Sequence, residues 1–588
     1  MTLLVGCIGD DPVRLQGSAP EQLHVPGLTL AWGGDAVTVA DADGVVCAVA
    51  GRLERRTAAE LARAHASTGA LELDGLRGSF ALLLWDSRSR RGFLATDPLG
   101  TVSVFWHASD RQLLFGLEPV DLIPLLERRP EPNPHAIAQW LTDGTLAADT
   151  TFHRDVERLP GGHHLELRGG ARPRRRRHWR LEPTPLTEAP REQVEQEVRE
   201  TIARAVGAAT AGDAHPGVLL SGGIDSAVVA AELAGQRPGA VRAFSLVFPE
   251  HPSVDEEPLI EEFADRLGIP SQRLPFRGAG LLAAGLDYVQ RWRTPPVSPN
   301  LAIQQPLLRA AAGQGAATLL DGQGGDELFG ESLFVLSDLF RRGRFSHARA
   351  LSRRIPGIPT EQRDRASRRA RRAFGWKGVV PHRGHALARR VRSVRRPAGA
   401  PWLSPAASRA YAEVADPWRW QQRGGPRWWA HLADALTEQR ERAGAHDYLR
   451  RRNAMAGVVG GHPFLQDLDL IELMLRVPPE LAFDERFDRP LLRSAVQGVV
   501  PDSIRLRAEK SYFTPLFVEA VDRHDRQRIM ELLGSRDAAS RAYTQPDVVR
   551  RLLLETPPER RGGQWAWALW RLVMLECWLR REEAAAGG

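Results

Sequence analysis

Cysteine and lysine are the two residues this chain nearly does without. Three cysteines stand in 588 residues, Cys7, Cys47 and Cys577. They lie far apart in apolar, strand- or helix-like surroundings and in no metal-ligand spacing. They read as buried free thiols of a reducing cytosol and exclude a disulfide framework. Of 79 basic residues only Lys377 and Lys510 are lysine. Arginine cannot lend or shed a proton at neutral pH, so each lysine is a stronger candidate for chemistry than usual. The chain shows no charged-plus-apolar N-terminal signal and no apolar run long enough to span a bilayer. A cytoplasmic protein with no membrane partner is the expectation. The formal charge is +7, yet no nucleic-acid recognition motif accompanies it, and no nucleic-acid partner is expected.

What is present divides by pattern. The length calls for two or three domains. Residues 1–170 read as short strands with turns: Val45–Val49, Phe80–Trp85 and Leu113–Phe115 are apolar runs, and Asp97-Pro98-Leu99-Gly100 and Leu159-Pro160-Gly161-Gly162 are turn signals. Residues 171–190 read as a linker, with Arg174 to Arg177 as a solvated tether. From 191 to 588 helices alternate with apolar strands, the signature of a parallel sheet. That half carries a basic insertion at about 335–435. Its stretch 341–400 holds eighteen arginines and one lysine against two acidic residues, either a solvated helical surface or a docking face for an acidic peptide.

Two glycine-rich turns carry the chemistry. In the first, an apolar run ends in Leu219-Leu220-Ser221-Gly222-Gly223-Ile224-Asp225-Ser226 and a helical pattern follows. Glycines there let backbone N–H groups approach an anion, and the helix N-terminus adds partial positive charge. Ser221 and Ser226 supply hydroxyls, and Asp225 can hold a magnesium ion. The second turn, Asp321-Gly322-Gln323-Gly324-Gly325-Asp326, repeats the logic with Asp326 as a second metal ligand.

The pair of turns resembles those of the ATP-pyrophosphatase synthetases, and Asp326-Glu327-Leu328-Phe329-Gly330 narrows the likeness to the asparagine synthetase family. The resemblance implies an α/β protein in two parts. The first is an N-terminal glutaminase-like (Ntn-type) β-rich α+β sandwich. The second is a C-terminal ATP-pyrophosphatase α/β domain with a parallel sheet and helical additions. It further implies ATP and Mg²⁺ as cofactors, with Leu219, Ser221, Gly222, Gly223, Asp225, Ser226, Leu246, Asp321, Gly322 and Gly324 around the nucleotide. Three residues are implied for the chemistry. Lys510, in Arg507-Ala508-Glu509-Lys510, matches the family's catalytic lysine. Asp447 lies near an acidic position on a helix before the acceptor pocket. Gln323 stands where relatives carry Glu or Tyr, and as a neutral amide it can orient a substrate but not act as a base. The family's Lys-x-x-Leu-Arg element appears as Arg489-Pro490-Leu491-Leu492-Arg493.

Departures from the pattern set the expected function. A glutaminase of this family needs cysteine after the initiator methionine, and here stands Thr2. Its Asn-Gly oxyanion pair falls at Ala50-Gly51. Glutamine hydrolysis is therefore excluded. The Gly460-Gly461 pair before His462 replaces an acidic-arginine prelude, which suggests an opened acceptor site. Together these features resemble lasso peptide macrolactam cyclases: an Asp or Glu side chain of a core peptide is adenylated, then joined to that peptide's N-terminal amine. The implied partners are the precursor peptide, a leader-binding protein and a leader peptidase. A β-lactam synthetase-like or other small-molecule amide synthetase stays open, and an asparagine synthetase is the remoter alternative.

Overall fold

The computed structural model describes residues 2–585, apart from 10–14, 16–19, 70–72, 74, 170, 171, 396, 438, 439 and 510. The fold is mixed α/β. Its N-terminal part stacks two six-stranded antiparallel sheets. One runs, edge to edge, Glu157–Leu159, Val104–Ala108, Gln112–Gly116, Leu3–Gly9, Leu28–Gly33 and Glu21–Val25. The other runs Arg174–Arg177, His163–Arg168, Arg91–Thr96, Arg77–Asp86, Val45–Glu54 and Val37–Ala42.

Period-two alternation decides which side chains fill which layer. Along Val45–Glu54, the side chains of Val46, Ala48 and Ala50 join Leu4, Leu30 and Phe115 between the sheets. Val45, Cys47 and Val49 face the other way, against the helix Ala58–Thr68. That helix starts at a capping box, in which Thr57 accepts the Glu60 N–H and the Glu60 carboxylate accepts the Thr57 N–H at 2.8 Å.

The run Arg174–Arg177 is not a free tether. It pairs antiparallel with His163–Arg168 and closes one end of the second sheet. A charge run alone carries no register information, whereas arginine on an edge strand keeps that edge from pairing with another copy of itself, since like charges repel. The connection between the two halves is the irregular stretch 178–190.

The C-terminal part is built on a five-stranded parallel sheet ordered Ser271–Pro275, Arg242–Val247, Gly217–Leu219, Thr318–Leu320 and Val459–Gly461. Helices pack on it, among them Arg191–Ala209, Ile224–Gln236 and Asn300–Gly313. The segment 335–435 shares this core instead of hanging from it. Phe334 packs its ring 4.5 Å from that of Trp420, and Trp428 and Trp429 are buried in the same cluster. The helix Gly563–Ala584 ties the halves together: Trp140 donates to the Arg571 carbonyl at 3.0 Å. Among the described residues no helix is long and apolar enough to cross a membrane.

Candidate active site

Strands Gly217–Leu219 and Thr318–Leu320 are parallel neighbours, so the two glycine turns leave the sheet at the same edge. Ligands of open α/β sheets bind at that carboxyl edge. The turns interlock. A Cβ on Gly322 would come within 2.6 Å of the Asp225 backbone, and one on Gly325 within 2.5 Å of its carboxylate. Glycine at these two positions is thus a packing requirement that lets Asp225 lie against the second turn. In the first turn Ser226 Oγ accepts the Ser221 N–H at 3.1 Å and shares a 2.9 Å hydrogen bond with Ser221 Oγ.

A cleft of about 360 Å³ opens over both turns. Leu219, Ser221, Gly222, Gly223, Asp225, Ser226, Leu246, Asp321, Gly322, Gln323 and Asp326 all line it. Phe244, Leu246, Phe248 and Leu307 give it an apolar lining, a surface suited to a planar base, together with the glycine turn. At that turn the Gly222 N–H already donates to the Glu256 carboxylate at 2.9 Å, an anion held where a phosphate oxygen would be. Glu256 is clamped in turn by Arg507 at 2.6 Å and by the Ser511 hydroxyl at 3.0 Å. The residues therefore fit a nucleotide.

Asp225 and Asp326 converge on one guanidinium. Arg489 contacts Asp225, lies 2.8 Å from Asp326 and also pairs with Asp488 at 2.6 Å. Burial opposes its charge, but these three carboxylates raise its pKa further. Arg489 itself sits at φ 50°, a left-handed conformation that costs a non-glycine residue about 1–2 kcal/mol. Among the described residues no group of three or more His, Cys, Asp or Glu side chains forms a metal cage. Two convergent carboxylates nonetheless fit Mg²⁺, which commonly takes one or two protein carboxylates plus substrate phosphates.

Gly324 does not line the cleft. It takes φ 95°, and a Cβ there would meet the Leu465 backbone at 3.0 Å, so its role is to seat the second turn. Asp321 holds a buried network beneath that turn. It accepts from His462 Nδ1 at 2.7 Å and faces Arg452 at 3.4 Å. Burial raises its pKa, but the interactions with His462 and the Arg452 guanidinium overcome that and lower it. The Gly460-Gly461 pair opens nothing. A Cβ on Gly460 would strike Asn453 and His462, and one on Gly461 would press Leu320 and Ala209. The glycines serve close packing beside the strand Thr318–Leu320.

Asp447 lies outside the cleft. From the helix Arg440–Ala456 it reaches into the N-terminal part, where it meets Ser103 and Arg158, with Arg158 Nε at 3.4 Å. Arg451 of the same helix pairs with Glu118 at 2.8 Å. Burial pushes the Asp447 carboxyl up, but Arg158, Arg451 and Arg450 hold it far below the usual carboxylate range. Asp447 is a buried ion-pair partner between the two halves, away from the nucleotide cleft. Lys510 lies outside the described residues, between Glu509 and Ser511, which both line the cleft.

In the N-terminal part, Cys7 belongs to the layer of Val5, Leu114 and Val156, while Ala50 belongs to the layer between the sheets. The thiol is therefore on the wrong face to act at the oxyanion position. Burial also pushes the Cys47 thiol up to about 12, which keeps it protonated and unreactive.

The family model for asparagine synthase matches residues 197–580, and one for a glutamine amidotransferase domain matches residues 53–179. The chain belongs to the asparagine synthase family. Curated relatives of this asparagine synthase-family chain include Amidase chry2 of Gibberella zeae, 27% identical over 43% of this chain and 40% of that protein. Amidase chyE of Penicillium rubens matches at 27% over the same shares. A glutamine-hydrolyzing asparagine synthetase 2 of Bacillus subtilis is 28% identical over 27% of this chain and 23% of its own length. The chain thus spans about 40% of the length of the first two relatives. A solved glutamine phosphoribosylpyrophosphate amidotransferase from B. subtilis aligns over 62% of this chain and 73% of its own, at 10% identity and a TM-score of 0.18.

Proposed function

We propose that this asparagine synthase-family chain is an ATP-dependent, AMP-forming amide ligase whose acid and amine belong to one peptide: a macrolactam-forming cyclase of the lasso peptide type. The observation that carries the ligase reading is the pair of interlocked glycine turns, which bring Asp225 and Asp326 to one point at the mouth of a nucleotide-sized cleft. ATP, when bound, supplies the adenylyl group that activates the acid, and it leaves as AMP and pyrophosphate. The turn N–H groups and the N-terminus of the helix Ile224–Gln236 receive phosphate oxygens in place of Glu256. Asp225 and Asp326 hold Mg²⁺, and Arg489, Arg507 and Lys510 offset the charge that develops on the phosphate side. Gln323 orients the acid through its amide.

The peptide reading rests on the amine. Position 50 is alanine, and the Cys7 and Cys47 thiols face other layers. Without a glutaminase the amine comes with the substrate. Balance then requires the acid's oxygen to leave on AMP and the amine to give up a proton as the C–N bond forms.

The test incubates the full chain with ATP, Mg²⁺ and a candidate precursor peptide, sought among small open reading frames beside its gene. The expected result is AMP and pyrophosphate formed in step with a peptide lighter by one water. ADP as product would sink the ligase reading. AMP formation with a small β-amino acid, and none with peptide, would move the assignment to a small-molecule amide synthetase.

A further inference from the structure

A second cleft, of about 350 Å³, lies where the two halves meet and shares no lining residue with the nucleotide cleft. Six guanidinium groups surround it: Arg158, Arg175, Arg177, Arg180, Arg419 and Arg423. Only two carboxylates line it, Asp149 and Asp434. Asp149 pairs with Arg175 at 3.1 Å, and Arg158 is paired with Asp447 at 3.4 Å. Arg180 faces Glu182 at 3.8 Å; guanidinium groups still outnumber carboxylates around this concave space, where fields of one sign focus and attract counter-ions. A convex solvated surface would spread the same charges apart.

The arginines come from three separate segments. Arg175 and Arg177 are two apart on the edge strand Arg174–Arg177, so they share one face, that of their register partners Leu165 and His163. Arg180 comes from the connection, and Arg419 and Arg423 from the short helix Arg419–Arg423. The rim is fixed in advance. Arg180 donates to the Arg423 carbonyl at 3.2 Å, and Arg423 donates to the Leu181 carbonyl at 3.3 Å.

We infer that this cleft binds an acidic peptide segment in extended form. Guanidinium forks match carboxylates two hydrogen bonds at a time. The strand Arg174–Arg177 stands at the end of its sheet, so an extended peptide can add to it through main-chain hydrogen bonds while its acidic side chains meet the arginines. Carboxylates spaced along a strand use both features, whereas a free phosphate uses only the charge. The inference is independent of which acid the nucleotide cleft activates.

The test measures binding of a fluorescent octapeptide of alternating Glu and Ser to the full chain, with saturating ATP analogue filling the nucleotide cleft. Arg180 and Arg419 are exposed, so the double variant Arg180→Glu/Arg419→Glu should fold, which its thermal midpoint checks. The expected result is at least a tenfold loss of affinity in the variant. A similar loss is expected for a peptide N-methylated at alternate residues, and affinity should fall as salt rises. Equal affinity for the variant and the wild type would overturn the proposal. So would binding of inorganic tripolyphosphate without binding of the peptide, which would assign the cleft to a small phosphate ligand.

Discussion

Arg489 places its guanidinium between the carboxylates of Asp225 and Asp326, two residues that arrive from different strands of the sheet. The cation it carries is at the point where a metal ion would be held by the same oxygens. Two carboxylates brought this close repel each other unless a positive charge lies between them.

Removing that charge should strengthen metal binding and weaken catalysis. For Arg489→Ala, calorimetry in the absence of nucleotide should show Mg²⁺ bound at least about tenfold more tightly than in the wild type, a change of about 1.4 kcal/mol. Turnover should fall, because the guanidinium no longer offsets charge on the phosphate side. Arg489→Lys should keep most of the turnover. Weaker Mg²⁺ binding in the alanine variant would show that the guanidinium supports the metal site and does not compete for it.

Asp447 should prove a stability residue. Its carboxylate is buried against Arg158, Arg450 and Arg451, and removing one member leaves the others uncompensated. Asp447→Ala should cost about 3–5 kcal/mol, seen as a lower urea midpoint, with the KM for ATP unchanged. Full stability combined with lost turnover would return Asp447 to a catalytic role.

The glycine turns were legible because everything that defines them lies within ten residues. Strand, turn, Asp and helix start follow one another in the chain. Glu256 was not legible, since its claim on the turn is made across 34 residues and through Arg507, 251 residues further on. The setting of Asp447 was hidden for the same reason: its partner Ser103 is 344 residues away, in the other half. Gly460 and Gly461 looked like an opening because a sequence shows the missing side chain but not the Asn453 and His462 atoms that fill its place. The four arginines at 174–177 looked like a tether because charge masks a strand whose register is set by its partner.

Lys510 lies outside the described residues, and its case rests on the Arg507-Ala508-Glu509-Lys510 pattern and on flanking residues that line the cleft. Lys510→Ala should lower turnover by roughly 10²–10³, as for removal of one transition-state donor, with a far smaller effect on ATP binding. Lys510→Arg should recover only part of the rate, because a planar guanidinium does not occupy the point of an ammonium. Near-normal turnover in Lys510→Ala would remove it from the catalytic set.

Asp121 gives the chain a pH-dependent stability. Burial is the main cause and neighbouring Glu118 the second; against Arg450 and Arg451 they push its carboxyl up to about 7. A carboxyl whose folded pKa is raised contributes stability that is fully present below its unfolded pKa of about 3.9 and is lost as pH rises through the folded value. The wild type should therefore lose stability between about pH 4 and pH 7 through this group. Asp121→Asn cannot ionise and should lack that loss. The variant's urea midpoint should gain on that of the wild type as pH rises from 4.5 to 8, by the equivalent of on the order of 1–3 kcal/mol. At the acid end, where the wild-type carboxyl is protonated, the two should differ little. A difference that stays constant across this range would show that Asp121 ionises as an ordinary surface carboxylate and that burial beside Glu118 does not hold its proton.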